Sequence, residues 1–210
     1  MSMPLPLTAL EPNYAWEVAR LFPNQGDWNE SDYLFVTHST NRLVELRNGR
    51  IEVLATPTMS HQLIVAFLVK VLEAFVEPRQ LGDVVFAPMR VRIGPKEFRE
   101  PDVVFMLAQN RDRAGDDYWQ GANLMIEVVS NDAESRKRDL KEKRADYAAA
   151  GIPEYWIVDL VERRITVLTL EGAEYVTAGE YAPGGQAESK LLGGLTVDVA
   201  ATFKAAERSR

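Results

Sequence analysis

The sequence predicts an α/β fold, α+β in some classifications, with helices flanking a mixed central β-sheet. Three stretches carry that prediction. Between Asn123 and Asp159 an apolar run, LMIEVV, leads through a highly charged helical segment into a second apolar run, EYWIVD. A strand, a crossover helix and a strand in that length make a right-handed parallel βαβ unit. The segment TMSHQLIVAFLVKVLEAFVE, from Thr58, repeats apolar residues at i, i+3, i+4 and reads as a long helix. RLVELRNGRIEVLA, from Arg42 to Ala55, reads as a hairpin whose Asn48–Gly49 pair supplies the positive φ values of a tight primed turn.

Taken in order, residues 1–12 are rich in Pro and Leu and form an arm. NYAWEVARLF, at 13–22, has near-helical apolar spacing, and Pro23 ends it. NQGDWNESDY is a polar connector in which Ser31 or Asn29 can cap a short turn. Residues 1–41 thus form an N-terminal arm with a short helix, and 42–210 a single domain. In the hairpin, Leu43, Glu45 and Arg47 share one side, so Glu45 faces either a neighbour or water. The helix over 58–77 is apolar on more than one face, as expected between a sheet and other elements. His61 falls in its first turn, and Pro78 and Gly82 close it. DVVFAPMRVRI is a strand pair or one bent strand, interrupted at Pro88. PDVVFM is a short buried strand with Asp102 at its start, and AQNRDRAGDDYWQGAN is a polar loop.

LMIEVV is apolar except for Glu127, the pattern of a strand covered on both faces. Asn131 and Glu134 have capping-box spacing. The helix they open runs from about Ala133 to Ala150, where Gly151 takes the left-handed position and Pro153 blocks continuation. RRITVLTLEGAEY is a hairpin turning at Glu171–Gly172, and the tail adds one short strand and a final helical turn.

Composition narrows the chemistry. With no Cys and two His, neither a thiolate zinc site nor a three-histidine site can form. A hard-metal site must come from carboxylates, carbonyls and water. The apolar run LIVAFLV is too short to span a bilayer, and the N-terminus lacks the basic start and apolar core of a signal peptide. A soluble cytoplasmic protein without membrane contact is expected. A net charge of −7 argues against generic nucleic-acid binding but leaves room for a local basic patch.

Glu127 is the first candidate for chemistry. A carboxylate inside an apolar strand costs several kcal/mol unless a cation, hydrogen bonds or a raised pKa compensates. A structural ion pair and a divalent-metal ligand are both compatible with it. Pro101 fixes the backbone before Asp102, which is either a turn residue or a second carboxylate at the same ion. Asp139, Lys143 and Tyr147 share one helix face at i, i+4, i+8. Lys143 there could reach a phosphate or remain a solvated ion-pair partner of Asp139. Between Glu134 and Arg144 six basic residues outnumber three acidic ones. Arg136, Lys137, Arg138, Lys141 and Arg144 are therefore candidates for binding a polyanion. Glu45 and His61 carry weaker signals, and Asp159 ends a parallel strand, where α/β sites gather.

VELRNGRI, TPTMSHQ, PDVVF, IEVVSND, DLKEKRADYAAAGIPEYWIVD and LLGGLTVDV together resemble the PD-(D/E)xK nuclease superfamily, and within it the Uma-two family of restriction endonuclease-like proteins. The resemblance extends from about Arg42 to Phe203 and implies a restriction-endonuclease-like core sheet with the hairpin as an N-terminal extension. It implies metal binding by Asp102 and Glu127, with Glu45 as a candidate third ligand. The superfamily lysine would stand at 129, where this chain has Val129. The resemblance moves that role to Lys143 on the following helix, with His61, Asp139 and Tyr147 in support. The implied activity is endonucleolytic hydrolysis of DNA by water activated on Mg²⁺, with Mn²⁺ as a substitute. A homodimer would suit cutting two strands. The alternatives are a non-catalytic nuclease-fold module that binds nucleic acid or a protein, and a hydrolase of small phosphoesters.

Overall fold

The structure is a computed structural model that describes residues 22–40 and 42–207. The arm and the helix expected over 13–22 fall outside these residues, apart from Phe22. The first described element is a helix, α1 (Glu30–His38), where only a polar connector with a short turn was expected. Asn29 and Asp32 form a reciprocal capping box that satisfies the free amides of its first turn. Its Tyr33, with Trp28, packs on Val44, Leu46 and Phe98 in a small separate core.

The hairpin forms as expected, β1 (Val44–Arg47) and β2 (Arg50–Val53), with Asn48 at φ 49° and Gly49 at φ 71°. A Cβ on Gly49 would sit 2.4 Å from the Gly26 carbonyl oxygen, so only glycine fits. Pro88 separates β3 (Gly82–Phe86) from β4 (Val91–Gly94), and the two strands belong to different sheets. With β5 (Glu97–Arg99) and β7 (Trp119–Gln120), the first sheet has the order β2-β1-β5-β4-β7. The stretch read as a polar loop thus holds a 3₁₀ turn (Ala108–Arg113) and β7, whose Trp119 is buried. That one aromatic residue anchors it.

The second sheet is the core of the molecule. It contains β3, β6 (Val103–Leu107), β8 (Leu124–Val129), β9 (Glu154–Asp159), β10 (Arg164–Glu171) and β11 (Glu174–Tyr181), in the order β11-β10-β9-β8-β6-β3. β8 and β9 are parallel and the other pairs antiparallel, giving the expected mixed sheet. α2 (Met59–Val76) covers one face through Ile64, Val65, Leu68, Val69, Leu72 and Val76. Each of these burials contributes on the order of 1.5–3 kcal/mol. Contrary to the expectation from the 63–69 run alone, Met59–Arg79 is long and apolar enough to cross a bilayer. Its apolar side instead meets the sheet. α5 (Val199–Ala206) and the small pair β12 (Gln186–Glu188) and β13 (Thr196–Asp198) close the same core, one strand more than the tail predicted.

The crossover after β8 is not one continuous helix. It consists of α3 (Ala133–Lys137), a π-helical turn (Arg138–Glu142) and α4 (Lys143–Ala149). Asp132, rather than Asn131, caps it, accepting from the Ser135 amide at 2.8 Å. The Glu134 side chain, the other half of the expected box, lies outside the described residues. Gly151 follows at φ 72°, as the helix-end signal required. Asp139 lies within the π turn and Lys143 ends it, and both are buried.

Candidate active site

Strand parity brings the two acids together. Glu127 alternates with Met125 and Val129, which pack on the face that α4 covers. Asp102 lies two residues before Val104, on that same face. β6 and β8 are antiparallel, with Val103 opposite Ile126, so the next step sets Asp102 opposite Glu127. Both line one cavity of about 50 Å³, together with His61, Ser135, Arg138, Asp139 and Lys143.

Each carboxylate uses one oxygen to fix its position. Asp102 Oδ2 accepts the Val128 amide at 2.7 Å and lies 3.1 Å from His61 Nε2. Glu127 Oε1 accepts from the Lys143 ammonium at 2.8 Å and from the Tyr147 hydroxyl at 2.7 Å. Among the described residues the second oxygens, Asp102 Oδ1 and Glu127 Oε2, accept no hydrogen bond and are not among the sealed, unpartnered polar atoms. They therefore remain open to the cavity. No group of three or more His, Asp or Glu side chains is arranged around a metal-sized point among the described residues.

Lys143 reaches Glu127 from the helix that follows the strand. It begins α4 at 1% exposure, with Nζ also 3.1 Å from Glu45 Oε1 and 3.6 Å from Asp139 Oδ1. Burial alone would favour losing its proton, but Glu127, Glu45 and Asp139 hold it charged, well above the usual lysine range. Val129, at the superfamily position, sits in the apolar core. Burial raises the Tyr147 phenol, and Glu127 beside it adds to that, so it stays a donor.

Glu45 differs from a free ligand. Oε2 accepts from Arg99 at 2.7 Å, and Oε1 accepts the Glu100 amide at 3.1 Å beside Lys143. Burial opposes its ionisation, but Lys143 and Arg99 outweigh that and hold its carboxyl down at about 2. Arg99, fully buried, also holds Asp146 on α4. No sequence signal singles out Arg99 as Glu45's partner, because it lies in a three-residue strand with no periodicity to read. Asp139 pairs with Arg138 at 3.2 Å, and burial raises its carboxyl despite Lys143 and Arg138.

The basic stretch does not act as one patch. Arg136 forms a bidentate pair with Asp159 at 2.8 Å, which makes Asp159 a turn anchor. Arg144 donates to the Tyr175 carbonyl on the far side of the helix. Lys137 and Lys141 are exposed, and Arg138 leans into the site toward Ser135 and Asp139.

Burial in an apolar strand pushes the Glu127 carboxyl up to about 8; Lys143 opposes this, and Asp139, Asp102 and Glu45 add to it. Glu100 is pushed up to about 7, by burial first and then by Glu45. Between the ordinary 4.5 and these values the folded chain keeps protons that the unfolded chain has released. Metal-free stability should therefore fall as pH rises through that window. Thermal melts across it should show the decline, and Glu127→Gln should reduce its slope; an equal slope in the variant would remove Glu127 as the cause.

A family model for Uma2, described as "Putative restriction endonuclease", matches residues 31–200. Among solved structures, "a putative nuclease belonging to DUF820 from Anabaena variabilis ATCC 29413" aligns with a TM-score of 0.69 at 16% identity. The alignment covers 85% of this chain and 98% of that one, and at this identity the likeness is one of fold. No curated protein matches.

Proposed function

The chain belongs to the Uma2 family, and from that premise we propose that it hydrolyses phosphodiester bonds in DNA at the cavity shared by Asp102 and Glu127. One observation carries this reading. Two carboxylates from different strands face one small cavity, each with one oxygen fixed and one open, beside a buried ammonium. The donor set fits a hard divalent cation such as Mg²⁺, or Mn²⁺ in its place, because such an ion needs only one or two protein carboxylates and keeps its waters. Asp102 and Glu127 would hold it, and when bound it supplies Lewis-acid stabilisation of charge on the phosphoryl oxygens.

The chain's own residues do the rest. His61 and the Val128 amide fix Asp102, and Tyr147 fixes Glu127. Lys143 Nζ, kept protonated, is the group that can donate to a phosphate oxygen or orient the attacking water over Glu127. Glu45, neutralised by Arg99, acts in this reading as a positioning residue that holds Lys143 in place, since both its oxygens are engaged. Arg138, at the cavity's rim, offers a second cation to the phosphate.

A titration of Mg²⁺ and Mn²⁺ into wild type and Glu127→Ala tests this, reading both ion binding by calorimetry and cleavage of DNA. Wild type should bind and cut, and the variant should lose both. Ion-independent DNA binding without cleavage in wild type would leave a binding module in place of a nuclease.

A further inference from the structure

The candidate site is the narrow waist of a longer depression. On one side its cavity shares Leu54, Ala55, Ser135 and Arg138 with a groove of about 660 Å³ between the edge strand β2 and α3. On the other it shares Ser130 with a groove of about 470 Å³ between the start of α2 and α5. We propose that the three form one through-going trough for a single strand of nucleic acid, with the reacting phosphate at the waist and flanking nucleotides in the two arms. This rests on the nuclease reading above and adds the form of the substrate to it.

Three observations support a single strand. First, the trough continues on both sides of the acids, so the reacting phosphate need not be next to a chain end. Second, the waist is too small for a duplex. Leu54 and Ala55 on one wall and Ser135 and Arg138 on the other bound about 50 Å³, with Glu127 and Lys143 almost fully buried at its floor. A phosphate on a flexible strand can descend between such walls, whereas a duplex would rest on the rims. Third, each arm carries cations that can reach a sugar-phosphate backbone, set among the acids Glu52, Asp132 and Glu142 in the first and Glu207 in the second. Among the described residues Arg50 in the first arm makes no ion pair, and Lys137, in the same arm, is 71% exposed and paired with Glu142 alone. Arg163 lines the second arm with Ser60 and Asn131; it lies over the Phe203 ring and is paired with Glu207 at 3.2 Å, an exposed contact that a phosphate can displace. Side chains of this kind contact phosphate without reading sequence. Binding should therefore be salt-sensitive and indifferent to base.

The test uses the full chain with Ca²⁺ to hold the complex uncut, and oligothymidine long enough to reach both arms. Arg50→Gln and Arg163→Gln, on opposite arms, should each weaken binding and reduce the slope of log Kd against log salt by roughly one. Duplex DNA of the same length should bind more weakly than the single strand. An unchanged slope in either variant, or duplex binding as tight as single-strand binding, would overturn the trough. With Mg²⁺, closed circular single-stranded DNA should be cut faster than the same sequence as duplex. Shortening of linear strands from their ends while circles stay intact would also overturn it. Binding as expected without any cleavage would sustain the trough and defeat the nuclease reading, so the two can fail separately.

Discussion

Asp102→Asn is expected to reduce Mg²⁺-dependent DNA cleavage by about a thousandfold while leaving the fold intact, because it removes one of the two carboxylates proposed to hold the ion. The substitution is nearly isosteric. An Asn oxygen can still accept the Val128 amide, which Asp102 Oδ2 now accepts at 2.7 Å. The lost element is the negative charge beside His61, which meets the same oxygen. Plasmid and single-strand cleavage assays, with a thermal melt alongside, separate the two effects. A melt within a few degrees of wild type together with abolished cleavage is the expected pair. Retained cleavage would remove Asp102 from the mechanism.

Lys143→Met should have the largest effect on stability. The ammonium stands 2.8 Å from Glu127, 3.1 Å from Glu45 and 3.6 Å from Asp139, all of them buried. Near neutral pH, removing the ammonium takes one of its two cations from the buried, ionised Glu45 and the hydrogen-bond donor from Glu127, at a cost of about 3–5 kcal/mol. Urea denaturation should show the midpoint falling with little change in slope. Adding Glu127→Gln in the same chain should recover part of the loss, because the two groups touch and their effects are not additive. A Lys143→Met protein as stable as wild type would mean that the ammonium does not hold the acids together. The same variant should be inactive, and the double variant should stay inactive although it is more stable.

The hairpin, the long apolar helix and the βαβ unit were legible because each is encoded locally. Asn48–Gly49 fixes a turn, i, i+3, i+4 spacing fixes a helix, and two apolar runs around a charged helix fix a parallel crossover. The single acid in LMIEVV marked Glu127 because an unpaired carboxylate has no place in a covered strand. Less was legible where the deciding contact was distant. Helix α1 depends on Tyr33 and Trp28 finding a core in the first sheet, and β7 on the burial of Trp119. The break in the crossover helix carries no Gly or Pro to announce it. It coincides with the burial of Asp139 and Lys143, a tertiary property that local spacing does not encode.

The chain alone determined which residues had to be explained: two acids at or within buried strands, and a helix lysine where the strand offers only Val129. Tertiary structure decided their relation. Antiparallel register set Asp102 opposite Glu127, the π turn brought Lys143 between Glu127 and Glu45, and Arg99 took up Glu45. Side-chain spacing along a strand or helix is a local property, whereas the pairing of buried charges depends on which surfaces meet, and those surfaces come from segments far apart in sequence.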